Sequence, residues 1–328
     1  MDLEPNGDEQ QVIDATADFL AGAMPLERFR SANEGRFDET TRTQLAELGW
    51  FGMGVAEAAG GFGFSAIEET LVFREIGRHL GPTAVLPIAL AAKLAAEAGD
   101  LALARDIASG GHSVAFAVND PNREASLLFD WHGADLALCV DGDDARLVSL
   151  AGIDVEPGAC LDRSVGLGRA NLDEARSLVS APRALTERSG RLFTAAMLVG
   201  IAEAVTDMIA EYAKIRFTFG KAIGSYQAVR HPISDMKTRA FAARQQLFLA
   251  AVSCRDETSD AAMQSTGAKL LANDAAMANV DANIQLHGGI ATTDEHDAHY
   301  FMKRANVLVR LFGAKTAADD LNNMAFAA

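Results

Sequence analysis

Apolar positions recur at helical spacing over most of the chain, and the places where that spacing fails mark its organisation. Over residues 9–21, Val12, Ile13, Ala15, Phe19 and Leu20 fall on one helical face, which predicts an amphipathic opening helix. A second helix over 40–48 ends at Gly49, a residue suited to a helix C-terminus. The glycine-dense turn Gly60-Gly61-Phe62-Gly63-Phe64-Ser65 feeds a third helix over 66–80, and a fourth covers 82–98. From 113 to about 178 the pattern changes to short apolar runs at 114–118, 136–140 and 145–150, separated by Gly, Asp, Asn and Pro, which predicts a small β segment. Long helical periodicity returns at 186–216, 225–254, 260–287 and 297–323, broken at Phe219-Gly220-Lys221 and His287-Gly288-Gly289. Four helices of that length imply a bundle. The expected fold class is mainly α in three parts: an N-terminal helical domain over 1–112, a shortened middle β domain over 113–180, and a C-terminal four-helix bundle over 181–328.

Composition agrees with that reading. Of 328 residues, 49% are hydrophobic, only 7% are aromatic and 8 are Pro, which favours helices over a strand-rich sandwich. Lys and Arg number 29 against 45 Asp and Glu, and the resulting charge of −16 repels a phosphate backbone, so nucleic acid is excluded as a partner. Cys139, Cys160 and Cys254 lie far apart without metal-ligand or redox spacing and read as reduced thiols of a cytoplasmic protein; no metal site is expected. The first ten residues are acidic and lack an apolar signal core, and the apolar stretch 83–96 is interrupted by Pro87 and Lys93, so no membrane partner is expected.

Local motifs narrow the picture further. One is Arg216-Phe217-Thr218-Phe219-Gly220-Lys221-Ala222-Ile223, followed by Tyr226-Gln227 and the stretch 231–236; a second is Gln285-Leu286-His287-Gly288-Gly289-Ile290. Near the N-terminus stand Leu48-Gly49-Trp50-Phe51-Gly52-Met53, Gly60-Gly61-Phe62-Gly63 and Glu75-Ile76-Gly77-Arg78. With the α, short β, α order, these resemble the acyl-CoA dehydrogenase family across nearly the whole chain. The resemblance implies FAD as cofactor. Such a dinucleotide needs a guanidinium for charge-assisted hydrogen bonds, an aromatic face for stacking, and glycines that let backbone N–H groups approach phosphate oxygens. Arg216, Phe219, Gly288 and Gly289 supply those parts, and Gln227 and Gln285 can add amide hydrogen bonds. In the family these C-terminal residues reach largely in trans to the FAD of a neighbouring subunit, so an oligomer is implied. Ala291 stands where a glycine is common, and His287, which reads equally as a packed helix-end histidine, receives no catalytic role.

The family's catalytic base is a Glu carboxylate that removes the substrate α-proton. Its usual place aligns with Leu311-Phe312-Gly313-Ala314, where Phe312 has no proton-accepting atom. A minority of members carry it just before a segment matching Arg191-Leu192-Phe193-Thr194-Ala195-Ala196, where this chain has Gly190. No catalytic residue is therefore assigned. Glu187, Glu203, Asp207 and Glu211 on the same helix read as helix-surface charges, with Glu187 or Glu203 as the alternative if the base has moved. The family's flavin-contacting loop is represented only by Val118-Asn119-Asp120-Pro121-Asn122-Arg123, and its later Trp segment is reduced to Trp131-His132-Gly133. Residues used on the chain's own flavin are thus eroded while those offered to a neighbour's flavin are kept. This asymmetry resembles the shorter, base-less subunits of bacterial heterotetrameric (α2β2) acyl-CoA dehydrogenases of steroid side-chain degradation. It implies a catalytic acyl-CoA dehydrogenase subunit as partner, with electron-transfer flavoprotein as acceptor. A self-sufficient enzyme and a flavin-free structural homologue are the alternatives.

Overall fold

The computed structural model describes residues 3–31, 35–120, 125–313 and Met324. Helices α1 (Gly7–Ala23), α2 (Glu39–Glu47), α3 (Ala66–Arg78), α4 (Val85–Glu97) and α5 (Leu101–Ala108) precede a sheet. Its strands are β1 (Val114–Asp120), β2 (Ala125–Phe129), β3 (Leu136–Asp141), β4 (Asp144–Ser149), β5 (Glu156–Gly158), β6 (Leu167–Ala170) and β7 (Ser177–Pro182). Helix α6 (Arg183–Ile215), a hairpin of β8 (Phe217–Thr218) and β9 (Lys221–Ala222), and helices α7 (Gln227–Arg255), α8 (Ala261–His287) and α9 (Ala298–Leu308) follow. The chain divides into two compact units, one of residues 1–27, 70–81 and 191–328, the other of 28–69 and 82–190.

In the second unit, α4 buries nearly every side chain it carries, and its one lysine is paired. Lys93 Nζ lies 2.5 Å from Glu69 Oε2, and burial raises the Glu69 carboxyl above its ordinary range although Lys93 pulls it back. Helix α5 departs from the sequence expectation, which ended the helices at 98. Gly99 takes φ +85° and stops α4, and the Asp100 carboxylate then accepts from Leu103 N at 3.0 Å to start a new helix. The sheet has the order β5-β6-β2-β1-β3-β4-β7, with β1 and β3 parallel and the other pairs antiparallel. Alternate residues such as Ala115, Ala117, Ala137 and Cys139 point to one face and form its apolar core. The candidate loop residues Pro121, Asn122 and Arg123 lie outside the described residues.

In the first unit, α1 opens with a capping box: the Asn6 side chain accepts from Asp8 N and Glu9 N, and Glu9 returns a carboxylate to Asn6 N at 2.7 Å. Three bundle helices meet at Asn279 of α8. Its amide donates to Ala202 O and Thr206 Oγ1 of α6 and to Met236 O of α7, and its oxygen accepts from Arg239 Nε at 2.9 Å. Among the described residues α6 is long and apolar enough to span a bilayer, but 83% of its most apolar window is buried in the protein, as in a core helix. Lys269, fully buried on α8, donates to Leu308 O and Asn273 Oδ1, each at 2.9 Å. Burial, with Arg191 as a second cause, lowers its pKa to about 7. The helix expected over 297–323 stops at Leu308; residues 309–312 form turns, and Phe312 and Gly313 adopt left-handed backbone at φ +55° and +91°, which a continuing helix does not allow. Residues 314–323, and with them Ala314, lie outside the described residues.

Candidate functional site

The first unit gathers both C-terminal motifs at one end of its bundle, starting from the end of α6. Arg216 N donates to Tyr212 O at 2.9 Å as the last turn of that helix, and Arg216 O accepts from Ile223 N at 2.8 Å. The backbone of Arg216 is thus pinned on both sides while its side chain is exposed, and no carboxylate among the described residues pairs with it. The hairpin that follows pairs Phe217 with Ala222 and Thr218 with Lys221, leaving a two-residue loop of Phe219 and Gly220. Such a loop needs positive φ at both positions, and they take +53° and +81°. Glycine does this freely, whereas a phenylalanine there costs about 1–2 kcal/mol. Phe219 is also 93% exposed. Tyr226 braces the hairpin by donating its hydroxyl to Thr218 O at 2.9 Å, with Lys221 Nζ 4.2 Å above its ring. Gln227, exposed, is the first residue of α7.

The end of α8 meets this region through an aromatic contact. The rings of Tyr212 on α6 and His287 on α8 lie 4.4 Å apart, and His296 approaches His287 at 4.5 Å on the far side of the Gly-Gly turn in sequence. Because a carbonyl can only accept, the 2.8 Å contact between His287 Nδ1 and Asn283 O fixes the proton on Nδ1. Nε2 is then a buried acceptor without a hydrogen-bond partner among the described residues. Burial first, and His296 as a further cause, lower the His287 pKa and keep the ring neutral, against the opposing effect of the Asn283 bond. Gly288 follows at φ +73°, and a Cβ placed on Gly288 or Gly289 would meet nothing within 4 Å. Their backbone therefore faces open space, and Gln285 is exposed two residues before His287. All six sequence candidates, Arg216, Phe219, Gln227, Gln285, Gly288 and Gly289, are exposed on one unit. Sequence reasoning gave no role to Tyr212 or His296; the only signal was that Tyr212 precedes Arg216 by one helical turn.

The two positions aligned with a base have no carboxylate. Phe312 is 7% exposed at the end of the α9 segment, and Gly190 is buried in α6. The expectation that Glu203 is a surface charge is corrected: it is 5% exposed, and Arg74 donates to it through Nε at 2.8 Å with Nη2 2.6 Å away. Arg244 Nη1 adds a 3.5 Å contact, Arg74 Nη1 also reaches Glu75 at 2.9 Å, and Arg78 Nη2 pairs with Asp207 at 2.5 Å. The arginines that hold Glu203 and Asp207 lie 41 to 129 positions away, a distance at which sequence spacing carries no signal. The cluster borders a cavity of about 340 Å³ lined by Arg74, Glu75, Arg78, His79, Arg244 and Phe248 with residues of α1. Its cations are balanced by the adjoining carboxylates. Glu187 is half-buried and 3.3 Å from Arg183.

A mainly helical subunit with a central sheet and a cationic, aromatic, glycine-bearing end defines a flavin-dehydrogenase-like class. Family models of the acyl-CoA dehydrogenase N-terminal and C-terminal domains match residues 6–105 and 185–317. The chain belongs to the acyl-CoA dehydrogenase family, whose cofactor is FAD. It is 29% identical over 310 residues to the acyl-CoA dehydrogenase IpdE2 of Mycobacterium tuberculosis, covering 93% of this chain and 92% of that one. In structure it is similar to the Tcur3481-Tcur3483 steroid ACAD at TM-score 0.84 and 23% identity, covering 98% of each chain. It is likewise similar to a chain of the ChsE4-ChsE5 complex from Mycobacterium tuberculosis, at TM-score 0.83 and 21% identity, covering 99% of this chain and 98% of that one. At those identities the structural likeness is one of fold. The exposed guanidinium, exposed ring and open glycine turn fit the diphosphate and adenosine parts of the family's cofactor.

Proposed function

We propose that this chain is the non-catalytic partner subunit of an FAD-dependent acyl-CoA dehydrogenase, completing in trans the FAD site of a catalytic subunit in an α2β2 assembly. When bound, FAD supplies the hydride acceptor for α,β-dehydrogenation of an acyl-CoA thioester to the enoyl-CoA. Arg216 binds the diphosphate by charge-assisted hydrogen bonds, Phe219 stacks on the adenosine portion, and the amides of Gly288 and Gly289 approach phosphate oxygens. Gln227 and Gln285 add amide hydrogen bonds. The single observation that carries the reading is Phe219, a ring held at φ +53° and 93% exposed, whose strain no burial of the ring among the described residues offsets.

Proton abstraction belongs to the partner, because Phe312 and Gly190 stand where the family keeps its carboxylate. Glu203, the alternative base, is committed to Arg74 and Arg244, and Glu187 to Arg183. The neighbour named as a steroid ACAD and the neighbour solved as a two-protein complex support a hetero-oligomer and a steroid side-chain CoA ester as substrate. Electron-transfer flavoprotein is the acceptor in this reading, and the assembly is cytoplasmic. Co-expression with a full-length catalytic acyl-CoA dehydrogenase chain is expected to give a yellow, equimolar complex, with the chain alone flavin-free. A yellow homo-oligomer of this chain that forms enoyl-CoA unaided would reject the proposal; loss of its activity in Glu187→Gln or Glu203→Gln would then identify the relocated base.

A further inference from the structure

The two motifs read as contacting the cofactor are 58 residues apart at the closest, from Gln227 to Gln285, and lie at the ends of different helices. Their relative placement must be held to a fraction of an ångström for one diphosphate to be gripped from both sides. Among the described residues the closest aromatic link between the two ends is the ring of His287, and the Tyr212 ring also meets His296 edge-on at 6.4 Å. The His287 ring packs at a tilt of 34° against Tyr212, with ring centres 4.4 Å apart, one helical turn before Arg216, and is followed at once by Gly288. Its orientation is fixed by the bond from Nδ1 to Asn283 O at 2.8 Å, and His296 flanks it at 4.5 Å. His296 is itself held, its Nδ1 accepting from Ala298 N at 3.1 Å.

We propose that His287 is a positioning residue for the cofactor: its ring contact with Tyr212 sets the Arg216 hairpin against the Gly288-Gly289 turn so that both engage one dinucleotide diphosphate. The inference rests on the reading of this end as the FAD-facing surface. It goes beyond that reading by assigning the coupling of the two motifs to a buried side chain outside the set assigned to the diphosphate and adenosine. Burial of an acceptor, Nε2, without a hydrogen-bond partner among the described residues is unfavourable for a residue that serves packing alone.

The test uses the co-expressed complex and measures the FAD dissociation constant by ultrafiltration alongside the melting temperature. His287→Ala and Tyr212→Ala are each expected to weaken FAD retention about tenfold, the range of one aromatic pair. His287→Phe, which keeps the ring contact, is expected to restore it to within about threefold. A role in packing alone would lower the melting temperature without changing the dissociation constant of the folded complex. The decisive comparison is Arg216→Ala made with and without His287→Ala. If His287 positions the hairpin, the loss from Arg216→Ala shrinks in the His287→Ala background; strict additivity overturns the inference. An unchanged dissociation constant for His287→Ala, or a failed rescue by Phe, overturns it as well. Should Arg216→Ala alone leave FAD retention unchanged, the FAD-facing reading itself is wrong.

Discussion

Phe219 and Phe312 both hold left-handed backbone, at φ +53° and +55°, and each is followed by a glycine of positive φ. The first is 93% exposed and the second 7%. The local strain is the same, about 1–2 kcal/mol in either case. Burying a phenyl ring contributes about 1.5–3 kcal/mol, so at Phe312 the fold itself offsets the strain. At Phe219 no burial among the described residues does so, and in the proposed function contact with the cofactor of the partner subunit supplies the offset. The end of the molecule that carries Phe219 therefore has its chemistry facing outward. The end that carries Phe312, at the place aligned with the family's base, is occupied by packing.

This contrast can be broken in three ways. Phe312→Ala is expected to lower the unfolding free energy by about 3–5 kcal/mol in chemical denaturation and leave FAD affinity of the folded complex intact. The opposite pattern, lost flavin with stability retained, would make Phe312 a site residue. The next effect concerns Lys269, which donates to Leu308 O at the base of the same segment. Its folded pKa is lowered to about 7 from 10.5, so the unfolded chain binds more protons between those values. Its contribution therefore makes stability rise as pH increases through that window, with the burial penalty fully present below it. Lys269→Met is expected to flatten that rise in urea titrations at stepped pH, and an unchanged slope would show that the ammonium is not desolvated. The smallest pair of effects is at the hairpin. Phe219→Ala should weaken FAD retention by about 0.5–1.5 kcal/mol. Phe219→Gly should lose the same affinity while raising stability by about 1 kcal/mol, and no gain would mean that the left-handed turn is unstrained.

Much of the architecture is legible from periodicity alone. The bundle helices expected at 186–216, 225–254 and 260–287 are observed at Arg183–Ile215, Gln227–Arg255 and Ala261–His287. Long amphipathic or buried helices announce themselves because many residues vote for one period. Helix α5, eight residues long, does not, and its start depends on the single cap at Asp100. The parallel pairing of β1 with β3 is invisible in sequence because β2 intervenes between them. At the site, the motifs locate Arg216, Phe219 and the glycines, since those residue types are scarce and closely spaced. The left-handed backbone of Phe219 has no sequence signature, as phenylalanine is not a turn residue. Nor does the burial of Glu203, whose arginine partners at 74 and 244 come from other helices.

The hairpin has one more implication, for supply rather than for chemistry. Ile215, Phe217 and Phe219 leave α6 as alternate, largely bare apolar side chains beside the two unpaired edges of a two-stranded ribbon. A copy made without its companion would display that ribbon to chaperones and proteases for as long as it stayed single. Under the proposed function, cells that use the protein are expected to match its synthesis to that of the proposed companion chain, and overproducing it alone should fill inclusion bodies before it yields anything yellow.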